Sequence, residues 1–466
     1  MGRVRFGVGV LTVALLGAGC GARLDDAQRI AANGGRTQTA AVAQQPSAAA
    51  GGGPAAVTGS TGGAAAVPGG PTAGATSAEP CAAGGAAGAE AQCVASGGAL
   101  DVGVSDTSLS AGSVATVGGP VPGLFKNVQG GVKAYFNMVN SQGGVCGRKL
   151  DLQAADDRLD ASVNRSATQQ LKDKVFAFVG SYSVLDDAGA AVLAGQGIPD
   201  IGSSIGAARA AMVENFAMTP TPPDRQSNGS QAQLKYFQQH YGVSRAAIVW
   251  PAQSDARNSG KAYVNDMAAV GLAVVDTIEV AVTETSYTGV AQKLANDQAD
   301  LLITVLEVNG ISRLASSLQQ IGYHPKVSFY GQQAYGSQLI KLGGAAVEGT
   351  LLALGHDIVE DSANNPEVAR FAEWFARTNP GDDLDFFAIQ GWVAASMFVK
   401  ALREVGAEPT RAKVLAALSG YHAFDADALI APIDAPAKRS SGCFHIVTVE
   451  GGQWKVVDPA TGFTCS

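Results

Sequence analysis

The sequence predicts an α/β protein of two lobes, each built on a parallel sheet with helices on both faces. Three observations predict it. Short uninterrupted apolar runs, such as Val175-Phe-Ala-Phe-Val179 and Asp300-Leu-Leu-Ile-Thr-Val-Leu306, have the character of strands buried on both sides. Segments with apolar residues at helical spacing lie between them. A Pro-rich passage, Thr219-Pro-Thr-Pro-Pro-Asp224, divides the alternation into two series, as a crossover between lobes would.

The first unit shows the pattern clearly. A strand is predicted over Leu100–Val104, a polar loop over Ser105–Ala111, and then a helix carrying Val128, Val132, Tyr135, Phe136 and Val139 on one face. Gly143 and Gly144 stop that helix, and a second strand runs from Leu150 to Ala155, closed by Asp156 and Asp157. Strand, helix and strand in that order imply parallel strands and a right-handed crossover. The series continues with helix Ala161–Lys172, strand Val175–Val179, helix Asp187–Ala194 and strand Ile198–Ile201; Asp186 and Asp187 read as an N-cap. After the Pro-rich passage come helix Gly229–His240, strand Arg245–Trp250, helix Gly260–Val270, strand Val274–Ile278 and helix Thr288–Asn296. Strand Asp300–Leu306, helix Ile311–Ile321 and strand Lys326–Tyr330 follow, and the chain is expected to cross back at Gly349–Gly355. Helices Pro366–Arg377 and Asp385–Val405 rejoin the first lobe, and a third crossing near Ile433–Ser440 delivers a hairpin, Phe444–Val449 and Gln453–Val457, to the second.

The N-terminus reads as export machinery. Arg3 and Arg5 form a basic start, Gly7 to Ala18 an apolar stretch too short to span a bilayer, and Gly17-Ala-Gly-Cys20 a small-residue cleavage site. A Cys after Ala-Gly resembles a bacterial lipobox, although Gly17 stands where Leu is usual, so Cys20 is the expected lipidation site. Residues 1–20 are thus a lipoprotein signal peptide. Residues 21–98, dominated by Ala, Gly, Pro, Ser and Thr, have too little apolar surface to offset chain entropy and read as a disordered tether. Its r.m.s. reach is about 50 Å. The remainder divides into lobe one, 99–222 plus 355–435, and lobe two, 223–354 plus 436–466. The mature protein is expected outside the cytoplasm, lipid-anchored to the outer face of the cell membrane. A net charge of −8 with no basic stripe argues against nucleic acid as a partner.

In an exported chain, cysteines are read as disulfides. Cys443 and Cys465 flank the hairpin and are expected to pair. Cys146 is expected to pair with Cys93 or with Cys81, stapling the end of the tether to the first lobe. With Cys20 lipidated, one of Cys81, Cys93 and Cys146 is left over.

Ligands of open α/β sheets bind beyond the carboxyl ends of the strands. That rule selects Ser108, Ser110, Ser181, Tyr182, Ser183, Ser203 and Ser204 in the first lobe. In the second it selects Trp250, Glu307, Asn309, Gln332, Gln333 and Tyr335. Two such sets facing each other could close on a small molecule, with hydroxyls bonding it and aromatic faces packing on it.

The segment Asn140-Ser-Gln-Gly-Gly-Val-Cys-Gly-Arg148, with the strand after it and Asp156-Asp157, resembles the first unit of the type I solute-binding proteins. It is most similar to the leucine/isoleucine/valine-binding family of ABC-importer receptors, and the resemblance extends more weakly over Leu100–Val457. It implies Rossmann-like lobes joined by a three-strand hinge, a small-molecule ligand, and partners in a separate permease and ATPase. It implies ligand carboxylate binding in loops Gly180–Leu185 and Gly202–Gly206, where Ser181, Ser183, Ser203 and Ser204 match in character; by counting, Val184 falls at the family's binding Ser. It also implies an ammonium-binding Glu at Gly331–Ala334, where this chain has Gln332-Gln333. A neutral amide makes no charge-assisted bond of that kind, and Glu307 on the neighbouring strand end is a possible replacement. The ligand expected is an amino acid or a related amide or organic acid. A sensor of the same fold, reporting ligand to another envelope protein, is the alternative.

Enzyme readings are weaker. Gly202-Ser-Ser-Ile-Gly206 fits the hydrolase G-x-S-x-G pattern with Ser204 as nucleophile, but 59 glycines make chance matches common. The histidines, His240, His324, His356, His422 and His445, stand apart without a recognisable partner. No metal spacing, Walker loop or dinucleotide fingerprint occurs. No catalytic residue, metal or cofactor is therefore expected.

Overall fold

The computed structural model describes residues 93–94, 101–218 and 226–465. The signal peptide with Cys20, the tether with Cys81, and the Pro-rich first crossing lie outside them. The first sheet is four-stranded and parallel in the order β2-β1-β3-β4, from β1 (Ser108–Ala115), β2 (Lys149–Asp156), β3 (Ala177–Val179) and β4 (Asp200–Ile201). Helices α1 (Lys126–Ser141), α2 (Ala161–Leu171), α3 (Asp187–Leu193) and α4 (Ala207–Ala210) alternate with these strands.

The first strand is a correction to the sequence reading. Residues 101–104 form a turn, and the expected polar loop is the start of β1. Periodicity missed it because β1, SLSAGSVA, is built of small residues. They are small because the sheet is crowded there: a Cβ on Gly112 would lie 3.1 Å from Val175 and 3.4 Å from Phe178.

The second sheet has seven strands in the order β13-β12-β9-β8-β7-β5-β6. Its parallel part is β5 (Arg245–Pro251), β6 (Ala273–Val280), β7 (Leu301–Thr304), β8 (Val327–Tyr330) and β9 (Leu351–Leu354). Helix α5 (Gln231–Tyr241) precedes β5, and between the strands run α6 (Ser254–Ala269), α7 (Thr288–Asn296), α8 (Val308–Gln320) and α9 (Ser337–Gly343). The chain then carries α10 (Pro366–Thr378), α11 (Phe386–Val405) and α12 (Arg411–Leu418). An antiparallel pair, β10 (Ile433–Asp434) and β11 (Arg439–Ser440), precedes the hairpin of β12 (His445–Glu450) and β13 (Gln453–Asp458). That hairpin turns at Gly451 and Gly452, both with positive φ, as two-residue hairpin turns require. It extends the sheet in antiparallel sense through β9.

Disulfides join Cys93 to Cys146 and Cys443 to Cys465. Cys93 is thus the partner in the pairing that the sequence left open.

Helices α1 and α11 pack in parallel and unusually close. A Cβ on Gly131 would fall 2.1 Å from the Ala388 carbonyl oxygen, and one on Gly391 1.9 Å from that of Val128. Both clashes are with backbone, which cannot rotate away. The Tyr135 and Trp392 rings then meet edge to face at 4.7 Å. Replacing Gly391 with Ala should push the helices apart and cost about 1–3 kcal/mol or more. Urea unfolding would show a lowered midpoint with an unchanged slope; an unshifted midpoint would contradict the contact.

Candidate functional site

The strand-end loops of both sheets line one cleft of about 900 Å³. From the first sheet come residues 121–127 after β1, Tyr182 and Val184 after β3, and Ser203, Ser204 and Ile205 after β4. From the second come Pro251, Gln253, residues 305–309 and residues 331–336. The N-terminus of α11 and the β10–β11 pair complete it.

Three rings form the floor on the first-sheet side. Phe125 lies 4.7 Å from Tyr182 and 4.9 Å from Phe387, and Tyr182 lies 5.4 Å from Phe387, all tilted or edge to face. The sequence reading found only Tyr182. Phe125 precedes α1 and Phe387 begins α11, so in sequence both merge with helical apolar faces. The usable signal was position: each stands at the N-terminal end of its helix, the end that faces a ligand site in this architecture.

The expected serines divide. Ser108 and Ser110 sit in the first half of β1, away from its carboxyl end, and neither lines the cleft; the Ser108 hydroxyl bonds that of Ser105 at 2.8 Å. Ser181 Oγ accepts from the Val114 N–H, and Ser183 Oγ accepts from the Leu185 N–H, both buried beneath the loop. Ser203 touches the cleft but donates its hydroxyl to Asp186 at 2.8 Å. Ser204 lines the cleft.

Ser181 and Ser183 thus serve backbone N–H groups, and Ser203 a buried carboxylate. Asp186 occupies the N-cap position of α3 but makes no cap bond. It reaches instead to the β4–α4 loop, accepting from Ser203 and from the N–H groups of Ile205 and Gly206. Burial drives its pKa up to about 7 against the pull of Arg209 and these donors. Arg209 makes a two-pronged pair with Asp200, at 2.6 and 2.9 Å, with both side chains buried. Asp157 accepts from Thr116 and Asn164, and Asp156 from the N–H groups of Val117, Gly118 and Arg158.

On the second-sheet side, Trp250 is packing rather than lining. Its ring lies on Gly260, where a Cβ would come within 2.2 Å, and its indole N–H donates to Glu279. Glu307 lines the cleft as the N-cap of α8, accepting from the N–H groups of Asn309 and Gly310 and from the Asn309 side chain. Gln332 accepts from the Gly355 N–H, and Gln333 donates to the Leu306 carbonyl. The buried Tyr335 hydroxyl donates to Glu360 at 2.9 Å and accepts from the Val359 N–H; burial, then Glu360, raises its pKa well above the usual value.

Asp385 caps α11 through the Ala388 N–H and accepts from the Asn127 side chain, each at 2.8 Å. Burial raises its pKa to about 6 against these bonds. Among the described residues no cluster of His, Cys, Asp and Glu could hold a metal ion.

The sequence model described as periplasmic binding protein matches residues 108–453. No curated protein matches the sequence. The fold is similar to that of a fatty acid ABC transporter substrate-binding protein from Thermomonospora curvata, with TM-score 0.69 and 20% identity over 78% of this chain and 94% of that one. It is similar to a branched chain amino acid ABC transporter from Thermus thermophilus with bound valine, with TM-score 0.66 and 17% identity over 77% and 97%. A solute binding protein from R. palustris in complex with benzoate gives TM-score 0.63 and 18% identity over 77% and 98%.

The pH dependence of Asp385 is open to test. A carboxyl whose folded pKa (about 6) exceeds its unfolded value (about 4) binds its proton more tightly when native. Its stabilising contribution is present below pH ~4 and is lost as pH rises through ~6. Asp385→Asn keeps a capping oxygen and removes the titration. The stability of the variant relative to the parent should therefore increase between pH 4 and 7; a pH-independent difference would contradict the burial.

Proposed function

We propose, from the premise that the chain belongs to the periplasmic binding protein family, that it captures a small molecule for an ABC importer. The observation that carries this reading is that strand-end loops of both sheets line one and the same cleft. In such an arrangement each lobe offers half of a site, and closing the lobes completes it and excludes water. The proposed lobes are 99–222 plus 355–435 and 223–354 plus 436–466, with the passages between them as the hinge. The chain performs no chemistry; its energetic task is to bind ligand more tightly closed than open.

Tyr182, Ser204, Glu307, Asn309, Gln332 and Gln333, all at the cleft, are the proposed contacts kept from the sequence. The ligand is an amino acid or a related amide or organic acid, consistent with the valine and benzoate held by structural neighbours. Cys20 carries the lipid, and residues 21–98 tether the receptor to the membrane, where a separate permease and ATPase take the ligand.

A thermal-shift screen of the full chain, unfolded and refolded to strip carried ligand, tests the reading. The panel holds amino acids, amides, organic acids and sugars. At ~100 Kd a true ligand adds about 2.7 kcal/mol of stability and raises Tm. Tyr182→Ala in one lobe and Asn309→Ala in the other should both weaken the hit. A hit that either variant leaves unchanged would contradict a site shared by the lobes.

A further inference from the structure

Resting on that reading, we infer that the ligand is a small apolar monocarboxylate lacking an ammonium group, seated on the Phe125–Tyr182–Phe387 floor and paired with Arg439. Three observations converge on this class.

The first is the floor itself. Three rings within 4.7–5.4 Å of one another present a continuous apolar surface to the cleft. Such a surface suits a planar ring or a short alkyl body.

The second is that the acids lining the cleft are committed. Glu307 carries three donors as a helix cap, so its charge is already met by the start of α8. Asp382 pairs with Lys126 and Asp383 with Lys341, both at 2.6 Å. Both oxygens of Asp385 accept protein donors, and Asp255 is engaged as well. The two amides at Gln332 and Gln333 are neutral and tied to backbone. At each of these places an ammonium would have to share a group that already serves protein partners.

The third is the cation balance. Lys126 is paired, and Lys438 is buried with its amine donating to the Met212 carbonyl. Arg439, on β11, lines the cleft, is exposed, and among the described residues has no ion-pair or side-chain hydrogen-bond partner. Its planar guanidinium is suited to two parallel bonds with a carboxylate. Among the described residues the cleft therefore offers one positive charge with no ion-pair or side-chain hydrogen-bond partner, whereas each of its carboxylates already has a protein partner.

Matched probes isolate each claim in the refolded full chain. 3-Phenylpropanoate, L-phenylalanine and 3-phenylpropanamide share a body and differ at the ammonium or the charge. Titration calorimetry should give 3-phenylpropanoate at least tenfold tighter than either of the others. Arg439→Gln, an exposed change, should erase most of the acid's advantage over the amide. Phe387→Ala should weaken acid and amide alike, and Phe387→Leu, which keeps most of the volume, serves if the alanine variant melts early. L-Phenylalanine binding as tightly as the acid, or an unchanged acid affinity in Arg439→Gln, would overturn the inference while leaving the receptor reading in place. Failure of every amino acid, acid, amide and sugar to bind would overturn both.

Discussion

The contact on which the site depends is the close parallel approach of α1 and α11. Without side chains at Gly131 and Gly391, each helix backbone lies against the carbonyl oxygens of the other. Because the helices run in the same direction, their N-termini meet at one end of the first sheet, the end where β1 delivers its strand-end loop. Phe125 and Phe387 are thereby brought edge to face, and Asn127 reaches Asp385. A substitution that separates the helices would disturb the cleft floor as well as the core, so stability and binding share one origin here.

A second layer of constraint lies under the loops. Asp157, Asp186 and Asp200 are fully buried, and each is satisfied by hydroxyls, backbone N–H groups or Arg209. Buried charges of this kind contribute little net stability compared with apolar packing, yet breaking one leaves an uncompensated charge costing several kcal/mol. Their effect is to give each loop one conformation. Ser181, Ser183 and Ser203 spend their hydroxyls on that task, and the first-sheet surface offered to a ligand is dominated by the ring floor. A site that is rigid before binding loses less ordering entropy on capture.

The alternation of buried strands and amphipathic helices made most of the architecture legible in the sequence, because runs such as Leu301–Thr304 and the face of α1 have an unambiguous period. The family resemblance pointed to the same fold. Where small residues carry the structure, periodicity has nothing to read. β1 was placed several residues early for that reason, and α4 and α9, each only a turn or two long, left no pattern. At the site, the rule that ligands gather beyond strand ends led to loops of one cleft, which Tyr182, Ser204, Glu307 and Asn309 all line. It could not tell a hydroxyl facing the ligand from one spent inside the protein, because that depends on partners set by the fold: the Val114 N–H for Ser181, the Leu185 N–H for Ser183 and Asp186 for Ser203. Phe125 and Phe387 were missed because an aromatic at a helix start looks, in one dimension, like core.

The most direct test of the account is hydrogen–deuterium exchange of the full chain with and without saturating ligand. The account predicts simultaneous slowing in the strand-end loops of both sheets, at residues 121–127 and 203–205 on one side and 305–309 and 331–335 on the other. The first turn of α11, residues 386–390, should slow with them. Protection confined to one sheet, or centred away from the Phe125–Tyr182–Phe387 floor, would contradict a single cleft closed from both sides.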